Sequence, residues 1–187
     1  MAKQTHNMIM HNTQGMIGKQ IVFKKRAGKR YVSAPPEVNV NRKPTENQLV
    51  AQANFKRSIT YAASAVKLAP LRKAYKAVAG RGQSAQNVAF QDAYYGPEVT
   101  GIVSQGYTGS IGNVIVVSAS DNFKVKEVKV AIHNPANELI EEGQAASNTD
   151  GIWYYLATHP NPDVTGCKIK ATAVDIPGNE GSLEVVV

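Results

Sequence analysis

In Val125-Lys126-Glu127-Val128-Lys129-Val130-Ala131-Ile132-His133 the apolar residues Val128, Val130 and Ile132 fall at every second position, with Lys129 and Ala131 between them. A period of two places the three on one face of an extended strand and leaves the other face wet, as in an antiparallel sheet with one buried side. The same texture continues on both sides of this stretch, in runs near 98–105, 112–119, 138–145, 151–158, 167–175 and 181–187. Turn chemistry separates them at Asn134-Pro135-Ala136-Asn137, Asn148-Thr149-Asp150-Gly151 and Ile176-Pro177-Gly178-Asn179. Seven short strands over residues 97–187 predict an antiparallel Ig-like β-sandwich. Trp153 is expected in or beside its core. The glycine-rich run Gly106–Gly112 lacks the Gly-Lys-Ser/Thr ending of a phosphate-binding loop and reads as a turn between strands.

Upstream the period changes to that of a helix. Thr45-Glu46-Asn47-Gln48 matches a capping box, so a helix should start there, with the seam Phe55, Ile59, Ala62, Val66 and an end near Leu68. Pro70 suits the first turn of a second, short helix with a stripe at Leu71, Ala74, Tyr75 and Val78, stopped by Gly80 and Gly82. Ser84 can cap a third, carrying Val88, Phe90, Ala93 and Tyr94 before Gly96-Pro97 ends it. The class is therefore α+β, with an N-terminal segment over 1–44, two or three helices over 45–96 and the sandwich over 97–187.

The N-terminal segment reads as an extended arm over residues 1–18, a lone β-hairpin from Lys19 to Ser33, and a proline-containing tether up to Pro44. Ile21 and Phe23 fall on one side of the hairpin, Tyr31 lies on the return strand, and Lys24, Lys25, Arg26, Lys29 and Arg30 crowd a tip at Arg26-Ala27-Gly28-Lys29. Two strands bury too little apolar surface to stand alone in water, so the hairpin calls for a partner.

The 187 residues carry a net charge of +7, placed unevenly. Residues 1–95 hold sixteen Lys and Arg against three acids, a balance of +13, while residues 96–187 hold five Lys against eleven acids, a balance of −6. Such asymmetry suits either a polyanion on the basic half or packing of one half on the other half of a neighbouring copy. The single cysteine, Cys167, precludes an intramolecular disulfide and lies in a strand-like run, where a buried apolar role is expected. The N-terminus lacks the continuous apolar stretch of a Sec signal peptide, and no 18-residue apolar span occurs, so neither secretion by that route nor membrane insertion is expected.

The segment Val125–Val130, the aromatic run Ile152-Trp153-Tyr154-Tyr155 and the closing Ala171-Thr172-Ala173-Val174-Asp175-Ile176-Pro177-Gly178-Asn179 together resemble bacterial Ig-like modules, in which an A-x-D-x-x-G-N ending introduces the last strand. Gly18-Lys19, the basic hairpin and Lys43-Pro44-Thr45-Glu46-Asn47-Gln48 are similar to small bacterial and phage-like structural proteins. The resemblance implies a fold and a role in assembly or adhesion, without a reaction; the paired cysteines of antibody domains are absent.

No catalytic constellation is recognisable, and neither a cofactor nor a metal centre is expected. His6, His11, His133 and His159 are too scattered for a zinc motif. Asp121, Asp150, Asp163, Asp175 and Glu141-Glu142 could supply carboxylates for calcium or hydrolysis, yet the aspartates sit mainly at turns, where Asp is selected for bonding to the backbone. The leading expectation is a non-enzymatic structural protein that self-assembles head to tail. Its hairpin (Ile21, Phe23, Lys24, Lys25, Arg26, Lys29, Arg30, Tyr31) would dock on an acidic counter-surface at Glu138, Glu141 and Glu142 of the next copy. Nucleic-acid binding by the basic half is the alternative, and a carbohydrate-binding or adhesive Ig-like module the third.

Overall fold

The computed structural model describes residues 2–4, 13–26, 29–36, 43–147 and 151–187. His6, His11, the Ala27-Gly28 turn, residues 37–42 of the tether and Asp150 lie outside the described residues. The chain divides into two compact units, Met1–Thr45 and Glu46–Val187.

The first unit is a four-stranded antiparallel sheet in the order β1-β4-β3-β2, built from β1 (Ala2–Gln4), β2 (Gly15–Ile17), β3 (Ile21–Arg26) and β4 (Lys29–Ser33). The expectation of a lone hairpin behind an extended arm is thereby corrected. Parts of the arm pair with both edges of the hairpin, because each open edge exposes backbone donors and acceptors that a further strand satisfies. Gly18 and Lys19, at φ of 57° and 55°, let the chain reverse between β2 and β3, and Gln20 N closes the turn on Ile17 O at 3.1 Å. Ile21 and Phe23, two residues apart on β3, share one face of the sheet but differ in burial. Ile21 is 43% exposed, whereas Val22 and Phe23 are buried; consecutive strand residues point to opposite faces, so each face of the sheet holds one of them.

The second unit combines three helices with a sandwich. Helix α1 spans Glu46–Ala65, α2 Ala69–Val78 with its proline in the first turn, and α3 Ala85–Tyr94, whose N-cap Ser84 accepts a bond from Asn87 N at 3.2 Å. The buried side of α1 is Ser58, Ala62 and Ala65, which correct the expected seam: Phe55 and Ile59 are exposed. Small side chains let α3 approach closely through Val88, Ala89 and Ala93, and Phe55 lies instead edge-on against Phe90, centroids 5.2 Å apart.

The sandwich strands are β5 (Glu98–Val103), β6 (Val114–Ser120), β7 (Val125–His133), β8 (Leu139–Gln144), β9 (Ala146–Ser147), β10 (Ile152–Leu156), β11 (Lys168–Asp175) and β12 (Glu180–Val186). They form two antiparallel sheets, β5-β6-β10-β9 and β12-β11-β7-β8, whose inner faces share one core as a β-sandwich. The period-two residues Val128, Val130 and Ile132 are fully buried opposite Ala173, Ala171 and Ile169, and meet Ile115, Val117, Trp153 and Tyr155 from the other sheet. Each such aliphatic side chain removed from water stabilises the fold by about 1.5–3 kcal/mol. Cys167 is free and buried, with its Sγ donating to Asp163 O at 3.1 Å.

Candidate functional site

The expected hairpin residues lie on the paired strands β3 and β4. The register sets Lys24 opposite Tyr31, Lys25 opposite Arg30 and Arg26 opposite Lys29. Like charges directly opposite one another in a sheet destabilise it by up to about 1 kcal/mol per pair. A polyanion or an acidic surface would offset that repulsion. Beside these cations runs β2, an edge strand without a further strand on its outer side among the described residues, and Met16, Ile17 and neighbouring Ile21 are exposed. An uncharged, apolar open edge is a template for strand addition.

The three acids expected to form a counter-surface differ in exposure. Glu142 is exposed on β8, and exposed Glu138 accepts from Asn134 Nδ2 at 2.7 Å in the β7–β8 turn. Glu141 must be withdrawn from that surface, since it is only 4% exposed. A register shift between Ile132 and His133 sets Glu141 opposite the buried Ile132, and its Oε2 accepts from Tyr155 OH at 3.1 Å, Thr158 N and Oγ1 at 2.8 Å each, and His159 N at 3.1 Å. Burial raises the Glu141 pKa, but these donors together outweigh it and leave the carboxyl below its ordinary value.

A second site lies where the helices meet one end of the sandwich. Asp92 of α3, Asp121 after β6 and Asp175 at the end of β11 each bring one carboxylate oxygen within 4.8 Å of the others. Each carboxylate is held from outside the group. Tyr75 OH donates to Asp92 Oδ2 at 2.5 Å and is itself within 2.8 Å of Tyr61 OH. Asp121 Oδ2 accepts from Phe123 N at 3.2 Å and Lys124 N at 2.9 Å. Asp175 Oδ1 accepts from Gly178 N and Asn179 N at 2.7 and 2.6 Å, and Asn179 Nδ2 reaches Asp175 Oδ2 at 2.7 Å. The Asp-x-x-Gly-Asn ending is thus an Asp-organised turn, with Gly178 at φ 91°. Asn179 continues to the carbonyls of Asp92 and Ala93 at the end of α3, and Arg57 of α1 donates to Asn179 Oδ1 at 2.7 Å.

Burial pushes Asp92 up to about 7 against the lowering effect of the Tyr75 bond, with the neighbouring Asp121 and Asp175 adding to the rise. Asp175 is raised by burial in the same way. Asp121 and Asp175 were singled out in the sequence as turn residues; Asp92 was missed. The available signal was its phase, an acid four residues after Val88 on the apolar side of α3.

No known family, curated protein or solved structure matches this chain. Among the described residues no helix is long and apolar enough to cross a membrane.

Proposed function

We propose that the protein is non-enzymatic and structural, and that it self-assembles through its N-terminal sheet while carrying an Ig-like sandwich as its body. The observation that carries this reading is the open β2 edge, apolar and exposed at Met16 and Ile17, beside the cations of β3 and β4. Strand addition at such an edge supplies main-chain hydrogen bonds, and the opposite balances of residues 1–95 and 96–187 orient the contact head to tail. A head-to-tail contact that does not close extends into a filament or tube. The strand order and the Ala173–Asn179 ending support the Ig-like reading of the body. The double substitution Met16→Lys with Ile17→Lys tests the proposal by charging the edge. Light scattering and negative-stain images should then show monomers with an unchanged circular dichroism spectrum. Assemblies that persist would remove β2 as the docking edge.

A second reading, nucleic-acid binding, is favoured by the register that opposes Lys25 to Arg30 and Arg26 to Lys29. Cations so placed suit closely spaced phosphates, and binding would weaken steeply with salt. A gel shift at two salt concentrations separates the readings: retention of DNA or RNA by the Lys-substituted monomer, lost on Lys25→Glu, would favour this one. Trp153 lies in the core beside Tyr155, and nothing favours the carbohydrate-binding reading.

A further inference from the structure

We propose that Asp92, Asp121 and Asp175 bind a divalent cation of the calcium type, which ties the helices to the end of the sandwich. Two of the three side chains, Asp92 and Asp175, are fully buried, and among the described residues no ion pair reaches any of the three. Three carboxylates gathered without a basic partner repel one another, and burial removes the water that would screen them.

An independent observation points to a ligand between them. Asp92 is 0% exposed, its Oδ2 is taken by Tyr75, and its Oδ1 has no hydrogen-bond partner; Asp121 Oδ1 likewise has none. The large majority of buried side-chain acceptors in folded proteins are satisfied, and an orphaned pair of carboxylate oxygens beside a third carboxylate calls for a positive charge between them. The pattern at Asp92 and Asp121 is that of metal ligands oriented by their surroundings: one oxygen fixed by an outer donor, the other left for the ion.

The donor chemistry selects the ion. All three groups are hard oxygen ligands, and neither His nor Cys belongs to the cluster, which suits calcium or magnesium over zinc or copper. Calcium bonds of about 2.4 Å put oxygens on opposite sides of the ion about 4.8 Å apart, whereas magnesium bonds of about 2.1 Å require about 4.2 Å and a rigid octahedron. Oxygens within 4.8 Å of one another fit inside the wider and more adaptable calcium shell. Asp121, only half-buried, also lines a cleft of about 300 Å³ with Lys124, Ser147 and Trp153, so one edge of the cluster lies beside open space.

The test uses the whole chain, stripped with a chelator and desalted. Calcium chloride should raise the melting temperature saturably and give a binding isotherm by calorimetry, with magnesium weaker. Terbium should report the same site by emission excited through Tyr75, reduced in Tyr75→Phe and competed away by calcium. Asp121→Asn, the most exposed of the three positions, should leave the chelated protein folded and weaken calcium at least about tenfold. Asp175→Asn provides the second variant if the first is silent. No saturable response to either ion up to about 10 mM, beyond the weak end of calcium sites, would overturn the proposal. So would a calcium response unaltered in both variants. If Asp92→Asn raised the melting temperature while the wild type ignored both ions, a proton shared between Asp92 and Asp121 would take the cation's place.

Discussion

The N-terminal sheet and the β-sandwich use the same antiparallel pairing and align opposite kinds of residue with it. Across β7 and β11 the register sets Val128 against Ala173, Val130 against Ala171 and Ile132 against Ile169, and all six are fully buried. Across β3 and β4 it sets Lys25 against Arg30 and Arg26 against Lys29, while Val22 and Phe23 supply the buried apolar residues described in that unit. The sandwich is held by its own contents. The N-terminal sheet spends its register on charge, which stabilises little by itself and acts on whatever anion it meets. Hydrogen-bonded pairing alone is therefore alike in the two sheets; the residues brought opposite each other are what differ.

The largest test of this contrast is deletion of residues 1–44. Self-assembly should disappear from light scattering entirely, with cooperative thermal unfolding retained, because the core of the second unit draws on none of the deleted residues. Loss of cooperativity would erase the distinction between the regions. Next in size is Trp153→Ala, expected to cost about 3–5 kcal/mol in denaturant unfolding, since the ring lies in the core. An unchanged midpoint would break the sandwich half of the comparison.

Glu141→Gln should cost about 2–3 kcal/mol near neutral pH, because the four bonds to Oε2 are made to a charged acceptor. It also has a pH signature. The folded-state pKa of Glu141 lies below its ordinary 4.5, so its contribution is present above that value and is lost as pH falls through the folded one. Stability measured from pH 6 downward should accordingly fall less steeply in the Gln variant than in the wild type. The smallest effect is expected at Lys25→Glu, which places a carboxylate opposite Arg30 and should stabilise the first unit by about 0.2–1 kcal/mol while weakening retention of polyanions. A destabilised sheet would mean that Lys25 already meets a stabilising partner.

Much of this fold was legible because its signals are local. Val128, Val130 and Ile132 announce their strand through periodicity alone, Ser84 its helix through a cap, and Pro70 its helix through a first turn. What escaped depends on distant partners. Residues 2–4 and 15–17 carry weak strand signals and become strands because the hairpin edges lie open to them. Phe55 and Ile59 outrank Ser58 and Ala65 in hydrophobicity, yet close helix packing selects the small side chains. Glu141 looked like a surface charge because its four donors come from residues 155–159. The carboxylate group was half legible: Asp121 and Asp175 stood out as turn residues, but their convergence with Asp92 spans three segments far apart in sequence.

Gly181, at the start of β12, lies so close to Pro97 O that it leaves no room for a Cβ, and β12 pairs with β11 along its whole length. The opening of the sandwich and its closing strand therefore meet only once nearly all of the chain exists. During synthesis the helices can find one another within residues 46–94, whereas β7 waits for β11 across the whole of residues 134–167. Pairing over such separations is slow and leaves strand edges bare in the meantime. A ribosome paused before Gly181 thus holds the helices beside an unfinished sandwich, and the group of Asp92, Asp121 and Asp175 is complete only once the end of β11 has emerged.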